Sequence, residues 1–434
     1  MDKIEIKGET YSFKGSLDVP ADKSIGHRAL FISSLNKDMT KISNLASSED
    51  VRTISDDLQS TIKCLADIGV QFAEIKGNIF VRGRGSKEFI QSEGILNCGN
   101  SGTTARLLTG LLSGQQFESK IDGDDSLRKR PMDRVIKPLT EMGGNFSASD
   151  NSLPLTILPS VLKGGRFDLN LGSAQVKSAL IFAALSAEEE TTLVEHKRSR
   201  NHTELMLQGC TDNLKVNGNE IIITPNPSIN LEGFEVPGDP SSAAFFIVAG
   251  LLNKDSELHI KNICLNQTRI HFITILKEMG GQIEIVDTKK IGGEEVGDVF
   301  IKSSHLKSIK IEKDSIPLLI DEIPIISLAC SLAEGKSEII DAEELRLKES
   351  DRIQTTVSEL KKLGCNIQET KDGMIIEGIE GIKGAECESH NDHRIAMMIA
   401  VAGTVAKGTT SINNPECASI SFPNFYDKLN NFRK

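Results

Sequence analysis

Asn391-Asp392-His393-Arg394 breaks directly into Ile395-Ala396-Met397-Met398-Ile399-Ala400, a run of small and apolar side chains with no polar face. A helix of that composition is buried on every side. The same event, a short polar run opening an apolar helix, occurs at five other places: Asp22-Lys23-Ser24, Gly99-Asn100-Ser101-Gly102, Gly172-Ser173-Ala174-Gln175, Gly238-Asp239-Pro240-Ser241 and Asp321-Glu322. The recurrence, roughly every 70 to 80 residues, is that of an internally repeated architecture. Helix N-termini carry unpaired N–H groups and a partial positive charge. Several of them, supplemented by Lys and Arg, imply a small and heavily anionic ligand.

The rest of each repeat follows outward from these starts. After the apolar helix comes a β-rich run, as in Thr191-Thr192-Leu193-Val194, Lys336-Ser337-Glu338-Ile339-Ile340 and Thr409-Thr410-Ser411-Ile412. Then comes an amphipathic helix, with Ile353, Val357, Leu360 and Leu363 facing inward in one case, often ended by a glycine such as Gly143, Gly280 or Gly364. A hairpin closes the unit, turning at Lys76-Gly77-Asn78 or Asn217-Gly218. The unit is therefore strand–helix–strand–helix–hairpin, six times over, three per domain, with a hinge expected near Phe234 to Gly238. Residues Met1 to Lys7 alternate and read as an edge strand rather than a targeting peptide.

With 434 residues, two domains are expected. Fifty Lys and Arg against 61 Asp and Glu give a net charge of −11, and there is no Trp and only two Tyr. Nucleic acid is excluded as a partner on both grounds. No stretch is long and apolar enough to span a membrane. The eight cysteines form no CxxC pair and read as reduced cytosolic thiols. His390-x-x-His393 has no third ligand nearby in sequence, so no metal is expected.

Several residues at the helix starts can carry chemistry. Lys348-Glu349-Ser350-Asp351-Arg352 puts two cations four apart around a carboxylate, on one face if the helix begins there. Ser24 reads as an N-cap with Lys23 and Arg28 bracketing it, and His27 as structural. Gly99 to Thr104 is a Gly-rich turn leading to Arg106; it lets backbone N–H groups approach a phosphate, but matches no nucleotide-binding spacing. Arg128-Lys129-Arg130-Pro131 is a cation run with Pro at a helix start. Asp321 is either an N-cap or a carboxylate placed to take a proton. Together these supply the bidentate partners that a phosphate and a carboxylate on one ligand set require.

In order along the chain, Asp22-Lys23-Ser24…His27-Arg28, Gly99-Asn100-Ser101-Gly102-Thr103, Lys129-Arg130-Pro131-Met132, Ser173-Ala174-Gln175-Val176-Lys177-Ser178, Asp239-Pro240-Ser241-Ser242-Ala243, Leu347 to Arg352 and Asn391 to Met397 resemble the signature runs of the EPSP synthase family, the 3-phosphoshikimate 1-carboxyvinyltransferases. The resemblance covers nearly the whole chain. It implies an α/β fold of two inside-out α/β barrel domains, the enolpyruvyl transferase fold, with six βαβαββ units, three per domain, helices inside and sheets outside. The chain would begin in one domain (residues 1–21 plus 236–434), build the other (22–235) and return, with the active site in a cleft between them.

The implied reaction transfers the enolpyruvyl group of phosphoenolpyruvate to the 5-hydroxyl of shikimate 3-phosphate, releasing phosphate through a tetrahedral intermediate. By similarity, Lys23, Ser24, Arg28, Ser173, Ala174, Gln175, Arg200, Asp321 and Lys348 hold shikimate 3-phosphate. Lys23, Gly102, Arg130, Gln175, Arg352 and Arg394 hold phosphoenolpyruvate, and Asp321, Glu349 and Lys23 are catalytic. No cofactor and no metal are implied; the partners are the two small substrates, and a cytoplasmic monomer is expected. The chain departs from many family members at Ala174 (a second Ser elsewhere), Leu107 (Pro) and Ile420 (Lys), features that resemble the family's second bacterial branch. Gly102 leaves room for the inhibitor glyphosate, whereas Leu107 alters the helix behind it. UDP-N-acetylglucosamine 1-carboxyvinyltransferase, with the same fold and chemistry, is the alternative. Its members have Lys-Asn where this chain has Lys23-Ser24, and a loop Cys that is missing between Gly110 and Arg130. A non-catalytic anion-binding protein would have no use for the Asp321 and Glu349 pair.

Overall fold

A computed structural model describes residues 2–9, 11–45, 54–148 and 151–433. The chain forms two compact units: Met1–Pro20 with Gly238–Lys289 and Glu295–Lys434, and Ala21–Pro237 with Lys290–Glu294. Among the described residues there are five four-stranded sheets and one three-stranded sheet. No helix is long and apolar enough to cross a membrane.

The repeat is visible in the sheet order. Leu96–Asn97 pairs parallel with Ser119–Asp122 across the helix Gly102–Leu112; Ser119–Asp122 then pairs antiparallel with Leu155–Leu158, whose other neighbour is Asn145–Ala148. Gly165–Leu169, Thr191–Glu195, Glu220–Ile223 and Leu214–Asn217 repeat that order around the helix Ala174–Ala184. Two units borrow their first strand from far along the chain. Gly233–Glu235 pairs with Met39–Ser43, and Lys14–Leu17 with Glu257–Cys264.

The sixth unit is shorter than the expected repeat. Its sheet is Glu386–Glu388, Thr409–Asn413 and the N-terminal strand Lys3–Lys7, which takes the place of a local hairpin. Lys3–Lys7 is therefore an edge strand, as its alternation requires; Met1 lies outside the described residues. The hairpins at Gly77 and Gly218 form as expected. Gly143, Gly280 and Gly364 follow their helices with φ between 91° and 101°, the left-handed backbone a C-cap needs.

The sheets bury one face and the apolar helices are buried all round. In the unit containing residues 238–289, Pro240–Leu252, Ile323–Ser331 and His393–Val405 contact one another pairwise, and nearly every residue in them is buried. In the other unit Gly102–Leu112 packs against Ala174–Ala184 at unusually close range. A Cβ on Gly110 would stand 2.0 Å from the Ala179 carbonyl oxygen, so only glycine allows that approach.

Candidate functional site

In the unit containing residues 21–237, one buried hydrogen-bond chain ties the starts of the helices Lys23–Leu35 and Gly102–Leu112 through Thr61, in the middle of the helix Asp56–Asp67. His27 Nδ1 meets Thr61 Oγ1 at 2.8 Å, Thr61 Oγ1 meets Thr104 Oγ1 at 2.6 Å, and Thr104 donates to Ser101 Oγ at 2.7 Å. Burial, with Arg28 and Lys23 adding to it, lowers the His27 pKa to about 3, so the ring is neutral and structural. The N-cap of Lys23–Leu35 is Asp22, not Ser24: the buried Asp22 carboxylate accepts from Ile25 N–H at 2.9 Å. A carboxylate at the Ncap is as good an acceptor as a hydroxyl, and its position leaves the Ser24 side chain uncommitted to capping. Lys23 Nζ lies 3.5 Å from the Asp57 carboxylate, both about a third exposed.

Arg28 is 3 % exposed and donates from Nε to Thr203 Oγ1 (2.8 Å), from Nη2 to Ser178 Oγ (3.0 Å) and from Nη1 to the Ser24 carbonyl (2.9 Å). All three acceptors are neutral. Burial lowers its pKa to about 10, opposed by the more distant Glu204, Asp22 and Glu294, with Arg200 lowering it further; the group stays charged at neutral pH. A buried cation held by neutral oxygens is a seat for an anion. Ser173 caps Ala174–Ala184 through Oγ, placing Ser173, Ala174 and Gln175 at that helix start.

Gln175 joins this helix to its neighbour. Its Oε1 accepts from Arg106 Nη1, and its Nε2 donates to Thr103 Oγ1 at 2.9 Å. Arg106 is 8 % exposed, and its Nε has no hydrogen-bond partner. Burial, with Arg134 and Arg130 nearby, lowers its pKa to about 10. A Cβ on Gly102 would meet Arg106 Nη1 at 3.0 Å and Arg130 Nη1 at 3.4 Å, so two guanidinium groups converge on that glycine. Arg130 is aimed by Asn100, which accepts from Nη2 at 2.6 Å and itself donates to Asp124 at 2.7 Å. Arg128 instead turns to Asp122, and Pro131 precedes the helix Asp133–Glu141 rather than starting it. Leu107 is fully buried in its helix, and Ile420 is 60 % exposed.

The unit containing residues 238–289 places a second constellation around Arg352, which is 1 % exposed. Its Nε donates to Asp392 Oδ2 at 2.9 Å, its Nη1 to Asp321 Oδ1 at 3.3 Å and its Nη2 to Glu349 Oε2 at 2.6 Å. Burial disfavours the cation, but Asp392, Glu349 and Asp321 outweigh it and raise the pKa. Asp392 is fully buried and also caps His393–Val405, accepting from Arg394 N–H at 2.8 Å. The next cation, Arg394, is 7 % exposed, stands over the Phe245 ring and leaves Nε and Nη1 buried without a hydrogen-bond partner among the described residues. His393, buried beside Arg394, has its pKa lowered to about 3. His390 Nε2 donates to the Glu359 carboxylate at 2.8 Å.

Three local expectations change here. The helix begins at Arg352 with Asp351 as its cap, so Lys348 and Glu349 sit on the preceding segment rather than on one helical face. Lys348 has extended backbone, and its Nζ pairs with Glu344 at 2.7 Å. The N-cap position of Ile323–Ser331 is Glu322, with Asp321 turned toward Arg352 instead. Glu322 is buried, accepts from Ser241 Oγ, and has a raised pKa because of burial and the adjacent Asp321.

The sequence reading assigned no role to Arg106, Asp57 or Asp392 although all three touch candidate residues. Arg106 carried a signal: it follows Gly102 by four residues, hence shares its helix face. Asp392 stood in the run that opens its helix, where Asp is a favoured cap; Asp57 carried none beyond its charge.

The family model for EPSP synthase (3-phosphoshikimate 1-carboxyvinyltransferase) matches residues 9–429. The chain is 48 % identical over 425 residues to the 3-phosphoshikimate 1-carboxyvinyltransferase of Thermoanaerobacter sp. (strain X514), covering 98 % of each chain. It is 46 % identical over 443 residues to the enzyme of that name from Petrotoga mobilis, covering 99 % of each. A solved EPSP synthase structure from Acinetobacter baumannii superposes with a TM-score of 0.92 at 37 % identity, over 100 % of this chain and 98 % of that one.

Proposed function

The chain belongs to the EPSP synthase family and carries out the enolpyruvyl transfer of the shikimate pathway, and from that premise we propose how its residues divide the work. The acceptor is shikimate 3-phosphate and the donor phosphoenolpyruvate. Lys23, Ser24, Arg28, Ser173, Ala174, Gln175, Arg200, Asp321 and Lys348 hold the acceptor. Lys23, Gly102, Arg130, Gln175, Arg352 and Arg394 hold the donor.

The observation that carries this reading is that Asp321 and Glu349 are both ion-paired to the same buried guanidinium, that of Arg352. A site that only bound anions would gain nothing from two carboxylates on its cation. A site that must move two protons needs both. Asp321 orients the 5-hydroxyl and takes its proton as the oxygen attacks C2 of phosphoenolpyruvate. Glu349 protonates the C3 methylene in the same addition, which gives the tetrahedral intermediate. The second step breaks the bond from C2 to the bridging phosphate oxygen. Glu349 takes a methyl proton back, the carbon–carbon double bond reforms, and phosphate leaves with Lys23 stabilising the charge on its oxygen; the proton that Asp321 took from the hydroxyl then passes to solvent, which restores its carboxylate.

The anion seats complement this division. Among the described residues, Arg28 and Arg106 are cations without a carboxylate within ion-pair distance, and Arg394 has two buried nitrogens, Nε and Nη1, without a hydrogen-bond partner. Phosphate and carboxylate oxygens satisfy such groups bidentately. No step requires a metal or organic cofactor. Among the described residues no two cysteines are joined in a disulfide, which supports a cytoplasmic setting.

Glu349→Gln keeps size and hydrogen bonding but cannot give up and reclaim a proton. It is expected to bind both substrates with near-normal affinity and to lose about 10²- to 10⁴-fold in turnover, read by rapid-quench single turnover. Wild-type turnover in that variant would remove Glu349 from the mechanism.

A further inference from the structure

Leu347 is 84 % exposed and Glu349 about half exposed. The segment between the short 3-10 helix Glu343–Leu347 and the helix Arg352–Lys362 is therefore not held by packing of its own side chains into the core. Yet it carries Lys348 and Glu349, whose placement the reaction needs to within a fraction of an ångström. Polar contacts fix its backbone instead: Ser350 Oγ donates to the buried Asp392 at 3.0 Å, and the neighbouring Arg346 is engaged at all three of its side-chain nitrogens.

Arg346 Nη1 donates to Asp351 Oδ2 at 2.8 Å and to Glu369 Oε1 at 2.8 Å. Its Nη2 donates to the Thr370 carbonyl at 2.8 Å and its Nε to the Lys371 carbonyl at 3.1 Å. The first contact closes the segment upon itself, because Asp351 is the N-cap of the helix that follows and its other oxygen accepts from Gln354 N–H at 3.0 Å. The other three lock that closed segment onto the end of the strand Asn366–Glu369 and the turn after it. A guanidinium meets four acceptors in one plane from fixed directions; an ammonium has three donors and no such plane.

We propose that Arg346 is a positioning residue for the transfer reaction: its guanidinium clamps Asp351, Glu369 and the Thr370–Lys371 backbone and so sets where Lys348 and Glu349 stand. The inference rests on the roles given to those two residues above. Arg346 itself touches no substrate in this account.

The test compares Arg346→Gln, Arg346→Ala and Glu369→Gln with wild type in full steady-state kinetics, with unfolding midpoints as a control on the fold. Misplacement of Glu349 is expected to lower kcat roughly 30-fold in both Arg346 variants while the KM for phosphoenolpyruvate, held chiefly by other cations, moves less than about 3-fold. Added guanidinium ion, but not the same concentration of potassium chloride, should restore part of kcat in Arg346→Ala. A kcat within about 3-fold of wild type would overturn the proposal, as would a loss matched by equal rises in both KM values with no guanidinium rescue, the mark of general disorder. If the Arg346 variants do not fold, Glu369→Gln decides: it removes one anchor on a partly exposed strand and should lower kcat roughly 5-fold, whereas unchanged kcat counts against the clamp. Glu349→Gln, assayed alongside, separates the two claims. An active Glu349→Gln removes the mechanism on which the inference rests; an inactive one together with wild-type Arg346 variants removes only the clamp.

Discussion

Asp392 is predicted to be the most damaging single carboxylate to remove from the unit it belongs to. The side chain is fully buried and has four jobs: it accepts from Arg352 Nε at 2.9 Å and Nη2 at 3.4 Å, from Ser350 Oγ at 3.0 Å, and from Arg394 N–H at 2.8 Å as a helix cap. Breaking a buried ion pair from one side costs about 3–5 kcal/mol, since the other charge stays behind. Arg352 retains the partly exposed Asp321 and Glu349, so the lower end, about 3 kcal/mol, applies. The lost cap on His393–Val405 adds about 1 kcal/mol. Asp392→Ala should therefore lose about 4 kcal/mol. Asp392→Asn keeps the cap and an acceptor, loses only the charge, and should cost about 1–2 kcal/mol. Because the chain has two compact units, the readout is hydrogen exchange in the helices His393–Val405 and Arg352–Lys362, with Lys23–Leu35 as the internal reference. A loss under about 1 kcal/mol in Asp392→Ala, the size of an ordinary substitution, would refute the reasoning, as would an Asn variant as damaged as the Ala one.

Other expectations follow from single contacts. Arg28→Lys loses the fork that serves Thr203, Ser178 and the Ser24 carbonyl; the KM for shikimate 3-phosphate should rise about 10- to 100-fold while that for phosphoenolpyruvate changes little. Gly102→Ala presses on Arg106 and Arg130, which are flexible ends rather than backbone, so the variant should fold normally but raise the KM for phosphoenolpyruvate severalfold in steady-state assays; an unchanged KM would show that these cations need no such room. His27 and His393 both have pKa values lowered to about 3, so the unfolded chain binds their protons first as pH falls. Their contribution to stability is full above the ordinary histidine pKa near 6.5 and is lost between there and about 3. Urea midpoints should begin to fall near pH 6.5, before the carboxylates titrate, and His27→Gln should reduce that early slope; a flat midpoint from pH 7 to 5 would count against it.

The repeat was legible because it rests on local physics. Apolar helices, glycine C-caps at Gly143 and Gly364, and the Asn217-Gly218 turn each follow from a few neighbouring residues. Long-range pairing was not: nothing local tells Lys3–Lys7 to complete the sheet of Thr409–Asn413, or Gly233–Glu235 to join Met39–Ser43. The helix starts showed the same limit. Two candidate caps stand at Asp22 and Ser24, and only the direction of entry selects Asp22. Lys348 to Arg352 have helix-compatible spacing, but Asp351 captures the cap position and leaves Glu349 outside the helix. Motif residues such as Lys23, Arg28 and Arg394 could be named from their runs, whereas Asp57, Glu322 and Arg346 acquire meaning only from partners distant in sequence.

The central claim is the pairing of this chain with one donor and one acceptor. The direct measurement is phosphate release from phosphoenolpyruvate with either shikimate 3-phosphate or UDP-N-acetylglucosamine present. Release with shikimate 3-phosphate alone is the predicted result. Release with the nucleotide sugar alone would keep the chemistry and overturn the acceptor, and silence with both would contradict the account of Lys23, Asp321 and Glu349 as working catalytic groups.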